Sequence, residues 1–364
     1  MSEVLSNRAL NRALLARQGL LEPWDCSPSE AIERLVGLQA QSTTAPYVGL
    51  WSRLARFTPA ELSRLLLDRG VVRIALMRST LQLVTARDCL ALRPVLRADL
   101  LRVLPPALRS HPNSGKIANE AMHILEQQPR TFAELGRLLA RNHPELAGDD
   151  LCRIARNLLA LVQVTPRGVW GQSMAATHTT AEHWLDAAQA VSDEPDQLIM
   201  RYLSTFGPAT AADFAAWSGM SRVGDHFRRL APQLATYRNE RGQVLFDVPE
   251  GVLPDPGTPI PVRILAEFDN VLLGHADRSR VFDAEHRRHF MSINGLISST
   301  FLIDGFVAGT CRLSRESGTA TATLQAFGSP PKQHRIALRM QAERLLVFSD
   351  PDAAKHQVRF AATR

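Results

Sequence analysis

Within the first 250 residues of this chain, one pattern occurs three times: a trio of amphipathic helices followed by a pair of short strands. The third occurrence is the clearest, in "DQLIMRYLSTFGPATAADFAAWSGMSRVGDHFRRLAPQLATYRNERGQVLFDV". There "GPAT" starts the second helix, "SGMS" starts the third, and "NERGQ" forms the tip of a strand pair. The second runs from "NEAMHILEQQPRTFAELGRLLARN" to "DDLCRIARNLLALVQVTPRGVWG", with its strands expected to turn at Arg167–Gly168. The first opens with "CSPSEAIERLVGL". Ser27 suits an N-cap, Pro28 the first helical position and Glu30 the return bond of a capping box. "APYVGLWSRL" and "TPAELSRLLLDRG" add two helices, and the β-branched run "VVRIALMRSTLQLVT" supplies the strands. Three helices and a hairpin are the layout of a winged helix, a unit that serves DNA binding and also scaffolding.

The Pro- and Gly-rich stretches 105–116 and 250–261 read as linkers. They divide the chain into units at 1–110, 111–190 and 191–250, followed by a tail at 251–364. In the tail, "RILAEFDNVLLG", "STFLIDG", "FVAGTCRLS" and "TATATLQAF" read as strands of a meander or small barrel. "KQHRIALRMQAERLLVFS" reads as a closing helix. The expected class is α+β: tandem winged-helix units with a C-terminal β-rich element.

Charge adds a direction. Of 42 basic residues, all but Lys116, Lys332 and Lys355 are arginines. Residues 1–110 hold 15 Arg against 9 Asp and Glu, whereas residues 111–364 balance at 27 against 27. The net +6 therefore falls in the first third, which favours a polyanionic partner such as nucleic acid. The polar start "MSEVLSNRALNR" lacks the apolar core of a secretory signal. The most apolar run is broken by Arg73 and Arg78, so no membrane span is expected. Four scattered cysteines without a CxxC pair fit a reduced, cytoplasmic setting.

Two neutral amides stand out in "GLQAQS". On a helix, positions i and i+2 diverge; in an extended segment they share a face. If the helix ends near Leu38, Gln39 and Gln41 look into one cleft. In "SRVGDHFRRL", Val223, Phe227 and Leu230 form an apolar stripe, and Arg222, His226 and Arg229 form a basic edge suited to phosphates or bases. "EFDNVLLGHADRSR" offers His275 and Arg278 as further DNA contacts, against a purely structural Asp–Arg turn. Arg73, Arg78 and Gln82 complete the candidate DNA-contacting set. His178 and His183 have poor metal spacing. His275, Asp277, His286 and His289 lack a supporting CxxC or HExxH, so no metal or cofactor is expected. Neither a phosphate loop nor a GxSxG elbow is present.

Taken together, "LQAQSTTAPYVGLWSRL", "LMRSTLQLV" and "FDNVLLGHADRSR" resemble, in the right order, the AlkZ/YcaQ family of winged-helix DNA glycosylases. The resemblance spans essentially the whole chain. It implies three winged helices curved around a DNA channel and excision of bulky alkylated purines from double-stranded DNA by a monomeric enzyme. It also implies a catalytic Gln-x-Gln motif, matched here by Gln39 and Gln41. Gln82 departs from the family, where many relatives carry His.

The chemistry suits amides. Alkylation at the ring nitrogen of guanine makes the base a cationic leaving group that departs neutral, without a strong general acid. What remains is to hold a water and steady an oxocarbenium-like sugar, and paired amides can do both. No lysine lies in the basic first third, which leaves only the amino terminus for Schiff-base chemistry and favours a monofunctional enzyme. The alternative is a non-enzymatic winged-helix regulator or a drug-sequestering resistance protein.

Overall fold

The computed structural model describes residues 3–362. Helices Pro28–Arg34, Ala45–Trp51 and Pro59–Leu67 precede the strands Val71–Ala75 and Leu81–Thr85. The capping box forms as read: the Ser27 hydroxyl accepts from the Glu30 amide at 3.2 Å, and the Glu30 carboxylate accepts from the Ser27 amide at 2.9 Å. Helices Ser114–Gln127, Phe132–Leu139 and Gly148–Leu158 precede Leu161–Gln163 and His178–Thr180. Instead of turning tightly at Arg167–Gly168, these two strands are joined by the long loop 164–177. Helices Asp196–Phe206, Ala211–Ser218 and Gly224–Leu230 lead into the hairpin Ala235–Asn239 and Val244–Asp247.

The units are not independent beads. The first two hairpins fuse into one antiparallel sheet, in the order Leu38–Gln39, Leu81–Thr85, Val71–Ala75, Leu161–Gln163, His178–Thr180. Arg73 pairs with Gln163 in that sheet, so strand pairing crosses the boundary drawn at residue 110. A helix at Ala86–Arg102, absent from the sequence reading, links them and buries Leu92, Leu96 and Leu100. Pro94 lies inside it, a residue that ordinarily argues against a helix interior.

The chain's first elements belong with the third unit. Val4–Leu5 pairs in parallel with Ala235–Asn239, and helix Asn7–Arg17 packs Leu14 and Leu15 toward Leu203 and Phe206. The tail carries an open five-stranded sheet in the order Lys355–Phe360, Thr319–Ala326, Phe306–Glu316, Thr300–Ile303, Arg263–Leu265, covered by helix Lys332–Ser349. It does not close into a barrel. Asn270–Leu273, read as strand, is a helical turn, and Lys355–Phe360 is a strand that the sequence reading missed. The architecture is mixed α+β, and among the described residues no helix is long and apolar enough to cross a membrane.

Candidate active site

The helix before the glutamines ends at Arg34, earlier than expected. Val36 at φ +54° and Gly37 at φ +92° then turn the chain into a short strand. A Cβ at Gly37 would lie 2.7 Å from Val84 Cγ1, so glycine is required there. Leu38 and Gln39 pair with Leu83 and Gln82, at the edge of the fused sheet. The strand ends at Gln39, which is buried, and Gln41, two residues on at a bend, is exposed. Ala40 is clamped between them: its amide donates to Leu81 O at 2.8 Å, and its carbonyl accepts from Arg73 Nη2 at 2.7 Å.

Arg78 closes the inner side. At the tip of the hairpin, in the left-handed region at φ +54°, it donates from Nη2 to Gln39 Oε1 at 3.2 Å and from Nη1 to the Trp217 carbonyl. Gly219 of the third unit lies against the Arg78 backbone, where a Cβ would come within 3.1 Å. Burial, reinforced by the charge of Arg278, pushes Arg78 down to about 10. Arg156 braces the same tip from the second unit through Ser79 O at 2.8 Å. Gln82, opposite Gln39, is buried and donates to Thr80 Oγ1 at 2.8 Å.

The "FDN" segment is the scaffold beneath. Asp269 and Arg53 are both fully enclosed and bonded twice, at 2.7 and 2.8 Å. Asp269 also accepts from the Val271 amide, and Asn270 reaches the turn before Gln39. Neither Asp269 nor Asn270 was proposed as a site residue; the signal was their place in a polar island within an apolar stretch.

Several candidates lie elsewhere or are closed off. Arg73 is 2% exposed and spans Ala40 and Gly168, so it cannot present its charge to DNA. His275 is 1% exposed, beside the rings of Tyr202 and Phe206, with Nε2 on the Phe206 carbonyl at 2.9 Å. It is a structural residue, closed off from the DNA contact expected of it. Val223, Phe227 and Leu230 do form a buried stripe, but the basic edge beside it is largely neutralised. Arg229 bonds both Asp196 and Glu194, His226 lies 3.4 Å from Asp196, and Arg222 precedes the helix at φ +56°. Glu194, Asp196 and His226 bring their ligand atoms within 4.8 Å of one another, and Arg229 donates to both carboxylates. His178 is buried and stacked on Phe132.

The charge surplus is also redistributed. Arg8, Arg12, Arg17 and Arg53 from the first third pair with Asp304, Asp247 and Asp269. Those aspartates come from the electrically balanced part of the chain, so the surplus counted along the sequence is not confined to the first third in the fold. A cleft of about 690 Å³ opens between helix Ala45–Trp51 and the tail sheet, and neither Gln39 nor Gln41 lines it. Thr44, Glu267, Ser299, Thr310, Arg312 and Gln325 line it.

Fused three-helix units sharing one antiparallel sheet, with the short Leu38–Gln39 strand at its edge, define a protein of the multi-winged-helix class. More specifically, the chain belongs to the AlkZ-like DNA glycosylase family, whose model matches residues 32–348. Its fold is similar to that of the Streptomyces sahachiroi DNA glycosylase AlkZ, with a TM-score of 0.83 and 22% identity over 98% of this chain and 100% of that one. No curated protein matches the sequence. The protein is a DNA glycosylase, an enzyme acting on DNA, and the non-enzymatic alternative is set aside.

Proposed function

We propose that this glycosylase hydrolyses the N-glycosidic bond of bulky alkylated purines in double-stranded DNA, N7-alkylguanine and interstrand crosslinks among them, in DNA repair or self-resistance to a genotoxic natural product. The observation that carries this reading is the pair Gln39 and Gln41, the first buried on an edge strand and anchored by Arg78, the second open to solvent just past the end of that strand. Arg78 takes one lone pair of Gln39 Oε1 and leaves the other for a water, which Gln41 holds from the solvent side. The lesion supplies the leaving-group charge, so a held water and an electrostatically steadied sugar suffice. With no lysine in residues 1–110, this reading takes water rather than a lysine amine as the nucleophile, and the enzyme works as a monomer without cofactor.

The test is duplex DNA bearing a single N7-alkylguanine, assayed for abasic sites under single-turnover conditions. Gln39→Ala and Gln41→Ala are each expected to slow excision about ten- to a thousand-fold, or roughly 1.4–4 kcal/mol. The double variant should fall short of the product, because both amides serve one water. Gln41→Asp should keep substantial activity. A double alanine variant that excises at the parental rate overturns the assignment.

A further inference from the structure

Beside Gln39 one arginine stands without an acid, and a second arginine is near enough for its charge to act on the first. Arg78 reaches Gln39 Oε1 and the Trp217 carbonyl. Arg278 arrives from the tail, donating from Nε to His275 O at 3.2 Å and from Nη1 to Met291 Sδ at 3.6 Å. Among the described residues, neither bonds a carboxylate. Arg17 and Arg53, also enclosed, are each gripped twice by an aspartate. Arg73 and Arg93 lack acids as well, but they are sealed inside, where each bonds backbone carbonyls through one nitrogen only.

Arg78 and Arg278 differ in remaining half-buried, open to a ligand from solvent. Each is also pressed by like charge. Burial lowers both, and Arg278 acts further on Arg78 as Arg287 acts on Arg278. Cations held close, partly dehydrated and uncompensated are costly unless an anion completes the set. DNA brings such an anion with every nucleotide, and the planar guanidinium fork matches phosphate oxygens.

We propose that Arg78 and Arg278 form a receptor for one backbone phosphate of the substrate and that Arg78, through its bond to Gln39, passes that contact to the water-holding amide. Phosphate contacts ordinarily set register. Here the contact would also orient Gln39, so that the amide is correctly held only when the sugar–phosphate chain is seated. Arg78 is thus a positioning residue. The second half of this inference rests on the reading of Gln39 given above.

The experiment pairs Arg278→Gln with DNA in which one phosphate is a neutral methylphosphonate, stepped through the three phosphates on either side of the N7-alkylguanine. At one position, the parental enzyme is expected to slow about ten-fold or more, and Arg278→Gln to slow on natural DNA to a similar degree. Combining the two should then cost little further. Arg278→Lys, which keeps the charge, should recover part of the rate and guards against a variant that merely folds poorly. Losses that multiply at every position, or an Arg278→Gln enzyme at parental rate and affinity, overturn the receptor. Coupling seen in binding affinity but absent from the rate overturns the link through Gln39. If the parental enzyme excises no N7-alkylguanine, the functional reading fails instead, and the same cycle read in affinity still decides the receptor.

Discussion

Asn270 Nδ2 donates to the carbonyl oxygen of Gly37 at 2.9 Å, spanning 233 residues of chain. A second, longer contact runs to Leu35 O at 3.4 Å. Between them these bonds hold the two residues of positive φ from which the glutamine strand departs, so the tail fixes the direction in which Gln39 leaves its helix.

Replacing Asn270 by alanine leaves both carbonyls buried without their donor, a loss of about 1–3 kcal/mol. Excision should fall by more than the stability loss explains, on the order of ten-fold in a single turnover at temperatures where the variant is fully folded. Asn270→Asp is close in size but sets a carboxylate against two carbonyl oxygens, and it should be worse than alanine. An Asn270→Ala enzyme of parental rate would show that the turn holds itself.

The Arg53–Asp269 pair is wholly enclosed, so its members depend on each other. Asp269→Ala strands a guanidinium and should cost about 3–5 kcal/mol. Arg53→Met combined with Asp269→Leu should be clearly more stable than the two single losses added together. Denaturant midpoints of the four proteins decide this, and strict additivity would refute the coupling.

Acid should loosen the protein through histidines that are held neutral. Burial, with Arg280 next, pushes His275 down to about 3, while Asp213 and its bond to Phe206 O act against that shift. His178 falls to about 4, again through burial first. Both titrate near 6.5 when unfolded. Their folded values are depressed, so the unfolded chain binds the protons. The stability from keeping them neutral is fully present above about pH 6.5 and declines as pH falls toward 4 and then 3, by up to about 1.4 kcal/mol per pH unit for each group. Urea unfolding at pH 7, 5.5 and 4.5 should show the decline, and His275→Gln should flatten it. An unchanged slope in that variant would remove His275 from the account.

What the sequence made legible was local. Ser27, Pro28 and Glu30 announced a helix start that forms as read, and "NERGQ" marked a hairpin tip between the strands at 235–239 and 244–247. The stop of the helix before Gln39 and Gln41 was legible too, but the strand that follows ends at Gln39 and leaves Gln41 at a bend. The contacts that surround them are long-range, and nothing in the spacing of Arg78, Trp217 and Asn270 tells that they converge. Helix Ala86–Arg102 hid behind Pro94, and helix Asn7–Arg17 hid behind Asn11 and Arg12, polar residues buried because the tail supplies their partners. Charge counted along the chain misled in the same way, since the first third's arginines meet their aspartates only in three dimensions.

Those partners also set an order of assembly. Helix Asn7–Arg17 is synthesised about 230 residues ahead of Asp247, and further still ahead of Asp304. At roughly 5–20 residues per second, the interval is on the order of tens of seconds. Throughout it, Arg12 and Arg17 must stay in water and Leu14 and Leu15 stay uncovered, or be held by something else. A growing chain of this kind completes its earliest helix among the last, and contacts at such separation make folding slow for its size.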